Sequence, residues 1–412
     1  LASPWGCHRM TQQLRSDPRP NFGLYVHVPF CPQRCPYCAF TVITGREDAV
    51  DGYVEAVCRE IGTWSPLQDR GGLDTVFFGG GTPSRLQPAQ LARILQTAEQ
   101  VLGLRDDVEI TIEANPTTVD AARFAELRDA GCNRLSLGAQ SFCDDSLRLL
   151  GRMHSAKDAE QAYATARAAG FASVSFDLIF SVPGAPLQDW ATTLTRAVQL
   201  APDHMSAYAL SVEPGTPFER RRQQGDLPEV DEEADATDYE TLVQTMTAAG
   251  YEHYEISNFA RPGHRSRHNW DCWTGGEYLG VGLSAHSYLE GRRFWNGTDI
   301  DRYVSDIQAG TSAQAGQERL PPVAARGEAL WLALRTSDGA WLTAQERQKL
   351  LASPTWRRLQ DSNYARFENE RLRLTAAGFA VADAVAVSVV DLICGEQLVV
   401  SGVERGYAPI NV

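Results

Sequence analysis

The sequence predicts an α/β protein built on a parallel sheet, followed by a smaller domain made largely of helices. Two observations carry that expectation. Between residues 24 and 212, six short apolar runs rich in Val, Ile, Phe and Leu alternate with longer segments in which Ala and Leu recur at helical spacing. Strands joined by crossover helices make a parallel sheet. The second observation is size: 412 residues exceed the roughly 250 to 300 at which a single core stops growing, so more than one domain is expected.

The six runs are LYVHV (24–28), DTVFF (74–78), VEITIEA (108–114), NRLSLGA (133–139), SVSFDLIF (173–180) and HMSAYALSV (204–212). Between them, PAQLARILQTAEQVLG, VDAARFAELRDAG, SAKDAEQAYATARAAG and LQDWATTLTRAVQLA read as amphipathic helices, three of which stop at or near Gly or Pro. Periodicity leaves open whether the sheet is flat-edged or curled into a partial barrel; in both cases functional residues belong at the strands' C-terminal ends. After about residue 215 the rhythm weakens. EVDEEADATDYE leads into a helix, and YEISNFARPGHRSRHNWDCW reads as an aromatic, basic loop. Residues 316–391 look separate, with ARGEALWLALRT and TAQERQKLLAS as helices, RLRLT as a short strand and AAGFAVADAVAVSVVDLI as a final helix, a winged-helix-like set with a packing or lid role. The expected divisions are therefore a tail at 1–21, a sheet domain at 22–215, an extension at 216–315, the small domain at 316–391 and a tail at 392–412. Residues 1–9 are read as a mis-called start, because Met10 precedes a polar segment.

Composition excludes several classes. Lys and Arg number 38 against 52 Asp and Glu, a net charge of −14, which argues against proteins that bind nucleic acid or anionic membranes through a basic surface. No apolar run reaches the roughly 18 residues that span a bilayer, and the start lacks a signal peptide's apolar core. Nine scattered cysteines are an odd number and no disulfide framework. A reducing, cytoplasmic setting follows.

Cys31, Cys35 and Cys38 lie close together in LYVHVPFCPQRCPYCAF, and no fourth cysteine follows until Cys58. Thiolates suit zinc and iron-sulfur clusters, and a four-iron cluster takes four ligands, so three leave one iron open. Pro32 and Pro36 favour a loop over a helix. Structural cysteines, or zinc held with His27, are the rival readings. GGGTPS (79–84) ends the second run, where backbone must come close to a partner. Glu113, Gln140 and Asp177 end or follow successive strands; each alone also reads as a cap or a solvated strand end, and together they point to one polar ligand.

These blocks, with GRMHSAKDA, DHMSAYALSVEPGTP and YEISNFARPGHRSRHN, resemble the radical S-adenosylmethionine (SAM) enzymes, and within them the HemW type of haem chaperone, from about residue 22 to 390. The resemblance implies a partial (β/α)6 barrel. It implies a 4Fe-4S cluster on Cys31, Cys35 and Cys38 whose open iron is chelated by SAM. Tyr25 and Tyr37 would flank the cluster, Gly80, Gly81 and Thr82 would hold the methionine end, and Glu113, Gln140, Arg152 and Asp177 would line the rest of the site. Haem and haem-accepting apoproteins are the implied partners.

RSRHNWDCW (265–273) resembles the HNxxYW motif of the HemW group, which would make His268 the haem residue, with Asn269 and Trp273 shaping its pocket. Without the resemblance, a loop histidine bonded to a carbonyl is the plainer reading. The sequence departs from the pattern at Cys272, where the group has Tyr, and at Ala39, where an acidic or amide residue is usual. The competing expectation is an enzyme, either a coproporphyrinogen III oxidative decarboxylase or a HemN-like methyltransferase. The 30 residues before Cys31 are fewer than such dehydrogenases resemble one another in, which favours the chaperone.

Overall fold

The computed structural model describes residues 21–229 and 231–395; most of the two expected tails lies outside the described residues. Six parallel strands run in chain order: β1 (Phe22–Val28), β2 (Leu73–Gly80), β3 (Leu104–Ala114), β4 (Arg134–Gln140), β5 (Ser173–Phe180) and β6 (His204–Ala209). The six apolar runs fall on them. The alternation along each strand explains why. Leu24, Val26, Val76, Phe78, Ile112, Leu135, Leu137, Val174 and Phe176 are fully buried in the main core. The intervening residues, among them Thr111, Glu113, Arg134, Ser136, Ser175, Asp177, His204 and Ser206, line a cavity on the other face.

Helices α1 (Val50–Thr63), α2 (Pro88–Leu102), α3 (Ala121–Asp129), α4 (Asp144–Leu149), α5 (Ala156–Ala168) and α6 (Gln188–Leu200) fall between the strands. Their ends are written locally. Helix α2 starts with a proline in its first turn and a Gln87–Gln90 capping box and stops at Gly103, while α5 starts with a Ser155–Asp158 box.

The sheet continues past both edges of this unit. Strands β7 (Glu252–Glu255) and β8 (Asn258–Ala260) extend it antiparallel beyond β6. Strand β9 (Glu277–Val281) pairs parallel with β1, and β10 (His286–Leu289), β11 (Arg292–Asn296) and β12 (Gln314–Glu318) follow antiparallel. The result is an open sheet of twelve strands with β1 in its interior. Helices α7 (Pro217–Gln223) and α8 (Glu232–Ala248) precede β7, and α9 (Arg267–Trp273) joins β8 to β9. The segment expected to be a loop thus holds β7, β8 and α9. Ser266 caps α9 by accepting the Asn269 N–H, and Glu109 of β3 accepts the Arg267 N–H at 2.9 Å. A seven-residue helix is too short to display a helical period.

Residues 322–395 form five helices and a small antiparallel sheet around a second core that includes Leu330, Leu334, Leu350, Trp356, Leu372, Phe379 and Val389. This module is tied to the main sheet by main-chain bonds, Ile256 N–H to Arg335 O at 3.1 Å and Ser337 N–H to Tyr254 O at 2.9 Å. Among the described residues, no helix is long and apolar enough to cross a membrane.

Candidate functional site

Strand β1 runs through Pro29 and Phe30 into Cys31, and the loop that follows is closed at its base. The Cys31 N–H donates to Ile43 O at 2.9 Å and the Ile43 N–H to Pro29 O at 2.7 Å. Inside the loop the Cys38 N–H donates to Cys35 O at 3.1 Å, and the Arg34 guanidinium holds Cys38 O. The prolines do keep it from being helical. Cys31, Cys35 and Cys38 are all free, partly exposed, and line one cavity of about 380 Å³. Burial pushes the Cys31 thiol up and Cys38 up to about 11, so binding a metal centre must release their protons.

His27 does not join them. Its Nδ1 meets the Tyr25 hydroxyl at 3.1 Å, its Nε2 meets Thr41 O at 2.9 Å, and burial lowers its pKa to about 4. Both nitrogens are engaged, which removes the fourth ligand from the zinc reading. Among the described residues no three His, Cys, Asp or Glu groups converge on a single ion. A four-iron cluster gives each thiolate its own iron and leaves the fourth iron to another ligand, whereas a structural zinc site takes a fourth protein ligand, which His27 does not supply.

The glycine turn after β2 packs directly against this loop. Gly81 N–H donates to Val28 O at 2.8 Å and Thr82 N–H to Phe30 O at 3.0 Å, while Thr82 Oγ1 lies 3.4 Å from the Cys31 sulfur. Gly80 has φ of +108°, and a Cβ there would meet the His27 ring at 2.4 Å. The glycines therefore serve the approach of two strands as well as any ligand.

Across the cavity, Glu113 accepts the Gly80 N–H at 3.1 Å. Burial, then Asp177, pushes Glu113 up to about 8. Burial also raises Asp177, opposed by the Ser136 hydroxyl, which donates to it at 2.9 and 3.0 Å. The Arg152 guanidinium lies 3.5 Å from the Cys35 sulfur and donates to Gly138 O at 3.0 Å. Gln140 and Tyr37 line the same space, with Tyr37 packed on Phe218 of α7 at 6.4 Å between ring centroids. The cavity thus offers thiols, two carboxylates and a guanidinium, a donor set suited to a zwitterionic ligand beside a thiolate-bound cluster.

Two expected residues lie elsewhere. Tyr25 is buried against Phe77 at 6.2 Å, behind the cavity wall. His268 is 2% exposed; its Nδ1 is 2.7 Å from Thr75 Oγ1, its ring stacks on Phe77 at 5.3 Å, and its Nε2 has no hydrogen-bond partner. Burial lowers its pKa to about 3. The neighbouring Asn269 is the motif residue that lines the cavity, with its Oδ1 unpartnered. Cys272 is buried, and Trp273 lies under the Arg335 guanidinium of the C-terminal module. Arg134, Ser136, Ser175, His204 and Ser206, which form the deep polar part of the cavity, were missed. Polar residues at every second position of otherwise apolar strands were the available signal.

A three-cysteine loop at the end of the first strand, closed against a glycine turn and facing polar strand ends, defines the radical SAM class, and the Radical SAM superfamily model matches residues 25–197. Membership implies a 4Fe-4S cluster and SAM as cofactors. "Heme chaperone HemW" of Synechocystis sp. is 39% identical, covering 80% of this chain and 83% of that protein. Its namesake from Mycobacterium tuberculosis is 37% identical, covering 90% and 95%. The chain belongs to the HemW family. Coproporphyrinogen III oxidase (HemN) from Escherichia coli, a solved structure 24% identical, superposes with a TM-score of 0.75 over 94% of this chain and 93% of that one, which shows the shared fold.

Proposed function

We propose that the protein is a haem chaperone, which binds haem and passes it to haem-requiring apoproteins, and which carries a 4Fe-4S cluster on Cys31, Cys35 and Cys38 with SAM beside it. The observation that carries this reading is the gathering of those thiols with Gly80, Glu113, Gln140, Arg152 and Asp177 around one cavity, in a chain related over nearly its whole length to proteins named haem chaperones. When bound, the cluster supplies an electron to the sulfonium of SAM. The chain's own groups position and screen. Gly80 to Thr82 would hold the methionine end, and Glu113, Gln140 and Asp177 would supply polar groups to the rest of SAM. Arg152 sets a positive charge beside the Cys35 sulfur, and Tyr37 with Phe218 keeps water from that side.

The net charge of −14 disfavours nucleic acid as a partner, and the free thiols suit the reducing cytoplasm. The test is anaerobic reconstitution followed by two assays on one preparation, haem titration by absorbance and conversion of coproporphyrinogen III. Stoichiometric haem binding without conversion is expected. Turnover of the porphyrinogen without haem binding would replace the chaperone with the decarboxylase.

A further inference from the structure

The described residues include six exposed large apolar side chains, Phe40, Met153, Leu187, Tyr208, Val323 and Leu351. Three of them, Phe40, Met153 and Tyr208, line the cavity that holds the three cysteines. Exposed apolar side chains that gather around one cavity mark a ligand surface, whereas single scattered ones do not.

Met153 is 55% exposed, yet its backbone is fixed from both sides. Arg152 before it is anchored to Gly138 O and the Cys35 sulfur, and His154 after it is buried with Nε2 2.9 Å from Ala139 O. The turn carrying Met153 also packs on the cysteine loop, with the Gln33 side chain donating to Gly151 O at 2.7 Å. A thioether is thus held at the cavity mouth with its side chain turned to solvent. At the same mouth, Arg34 is exposed and its guanidinium meets the carbonyl oxygen of Cys38, with no carboxylate partner among the described residues.

Haem is a flat apolar ring with two propionates and an iron that takes axial ligands, methionine sulfur among them. We infer that haem docks at this mouth against Phe40, with the Met153 thioether as an axial ligand to its iron and Arg34 beside a propionate; the inference rests on the haem-chaperone reading above. The other ligating groups nearby serve less well. His204 is 1% exposed and bonded at both nitrogens, to Ser175 at 3.0 Å and Tyr254 at 2.7 Å. His268 sits behind Phe77 and meets iron only if α9 is unseated. Tyr208 turns its hydroxyl to Ser206 in the deep polar part of the cavity, away from the mouth.

The experiment titrates haem into the full-length, cluster-reconstituted protein without oxygen and records visible and near-infrared absorbance. Wild type should show a methionine-ligated, low-spin component. Met153→Leu keeps the apolar bulk and removes the sulfur, so that component should vanish and Kd rise about tenfold while iron content from the cluster is unchanged. Met153→His should regain axial ligation with a histidine-type spectrum. Phe40→Ala should weaken binding and keep the ligand signature, and metal-free protoporphyrin should bind wild type and Met153→Leu alike. An unaltered spectrum in Met153→Leu overturns the assignment, as does a signature lost in His268→Ala and kept in Met153→Leu. A wild type that binds no haem overturns the chaperone reading itself, and with it this site.

Discussion

The N–H of Gly81 donates to the carbonyl oxygen of Val28 at 2.8 Å, which ties the glycine turn to the strand that feeds the cysteine loop. A Cβ at Gly81 would stand 2.7 Å from both Val28 O and the Pro29 carbonyl carbon, atoms of backbone that have no rotamer to change. Gly81→Ala should therefore destabilise the metal-free protein by about 1 to 3 kcal/mol and reduce the iron it retains. Urea unfolding followed by tryptophan fluorescence measures the first effect; an unmoved midpoint at unchanged slope would contradict the packing role.

Replacing Cys35 by Ser should abolish the cluster, read as iron content and visible absorbance after reconstitution. Cys58→Ser is the matched control, because Cys58 is buried on α1 and does not line the cavity. A full iron complement in Cys35→Ser refutes the ligand assignment.

Buried Glu60 holds the β9 edge to α1. It accepts from the Gly282 N–H at 2.8 Å, the Asn296 side-chain amide at 2.6 Å and the Tyr303 hydroxyl at 2.6 Å. Glu60→Ala strands three donors at about 1 to 3 kcal/mol each, a loss of roughly 3 kcal/mol or more, whereas Tyr303→Phe removes one bond and should lose about 1 kcal/mol. Equal losses in the two variants, by chemical unfolding, would show that the carboxylate is not the hub.

Glu255 gives a pH prediction. Burial raises its carboxyl from 4.5 to about 7, against donation from the Ser257 N–H and the Asn258 amide. The folded state thus holds a proton that the unfolded state has released. Its contribution to stability is present below pH 4.5 and is lost as pH rises to about 7. Relative to Glu255→Gln, wild type should lose up to about 1.4 kcal/mol per pH unit across that window. Parallel stability profiles for the two proteins would show that Glu255 titrates normally.

What could be read in the sequence follows from distance along the chain. The six strands of the parallel unit announce themselves because Leu24, Val26, Val76 and Phe78 recur at the period of a strand, and site residues fall at their ends for the same reason. Strand β12, QAGQE, has no apolar residue except Ala and is a strand only because β11 pairs with it. Arg152 came from the family resemblance, since nothing local marks an arginine in a turn as facing a thiol. The resemblance likewise named His268 without telling which way it points. Successive residues on a helix diverge by about 100°, so His268 passes behind Phe77 while Asn269 reaches the cavity.

The parallel pairing of β9 with β1 has a consequence for biosynthesis. Phe22 pairs with Glu277 and Val26 with Val281, so the strand that presents the cysteines has one unsatisfied flank until the ribosome has extruded residues far downstream. Throughout that interval β1 is an edge, open to wrong partners and to chaperones that shield such edges. Truncation before Glu277 should therefore yield aggregates rather than a smaller cluster-binding unit, and metal delivery belongs after β9 has emerged.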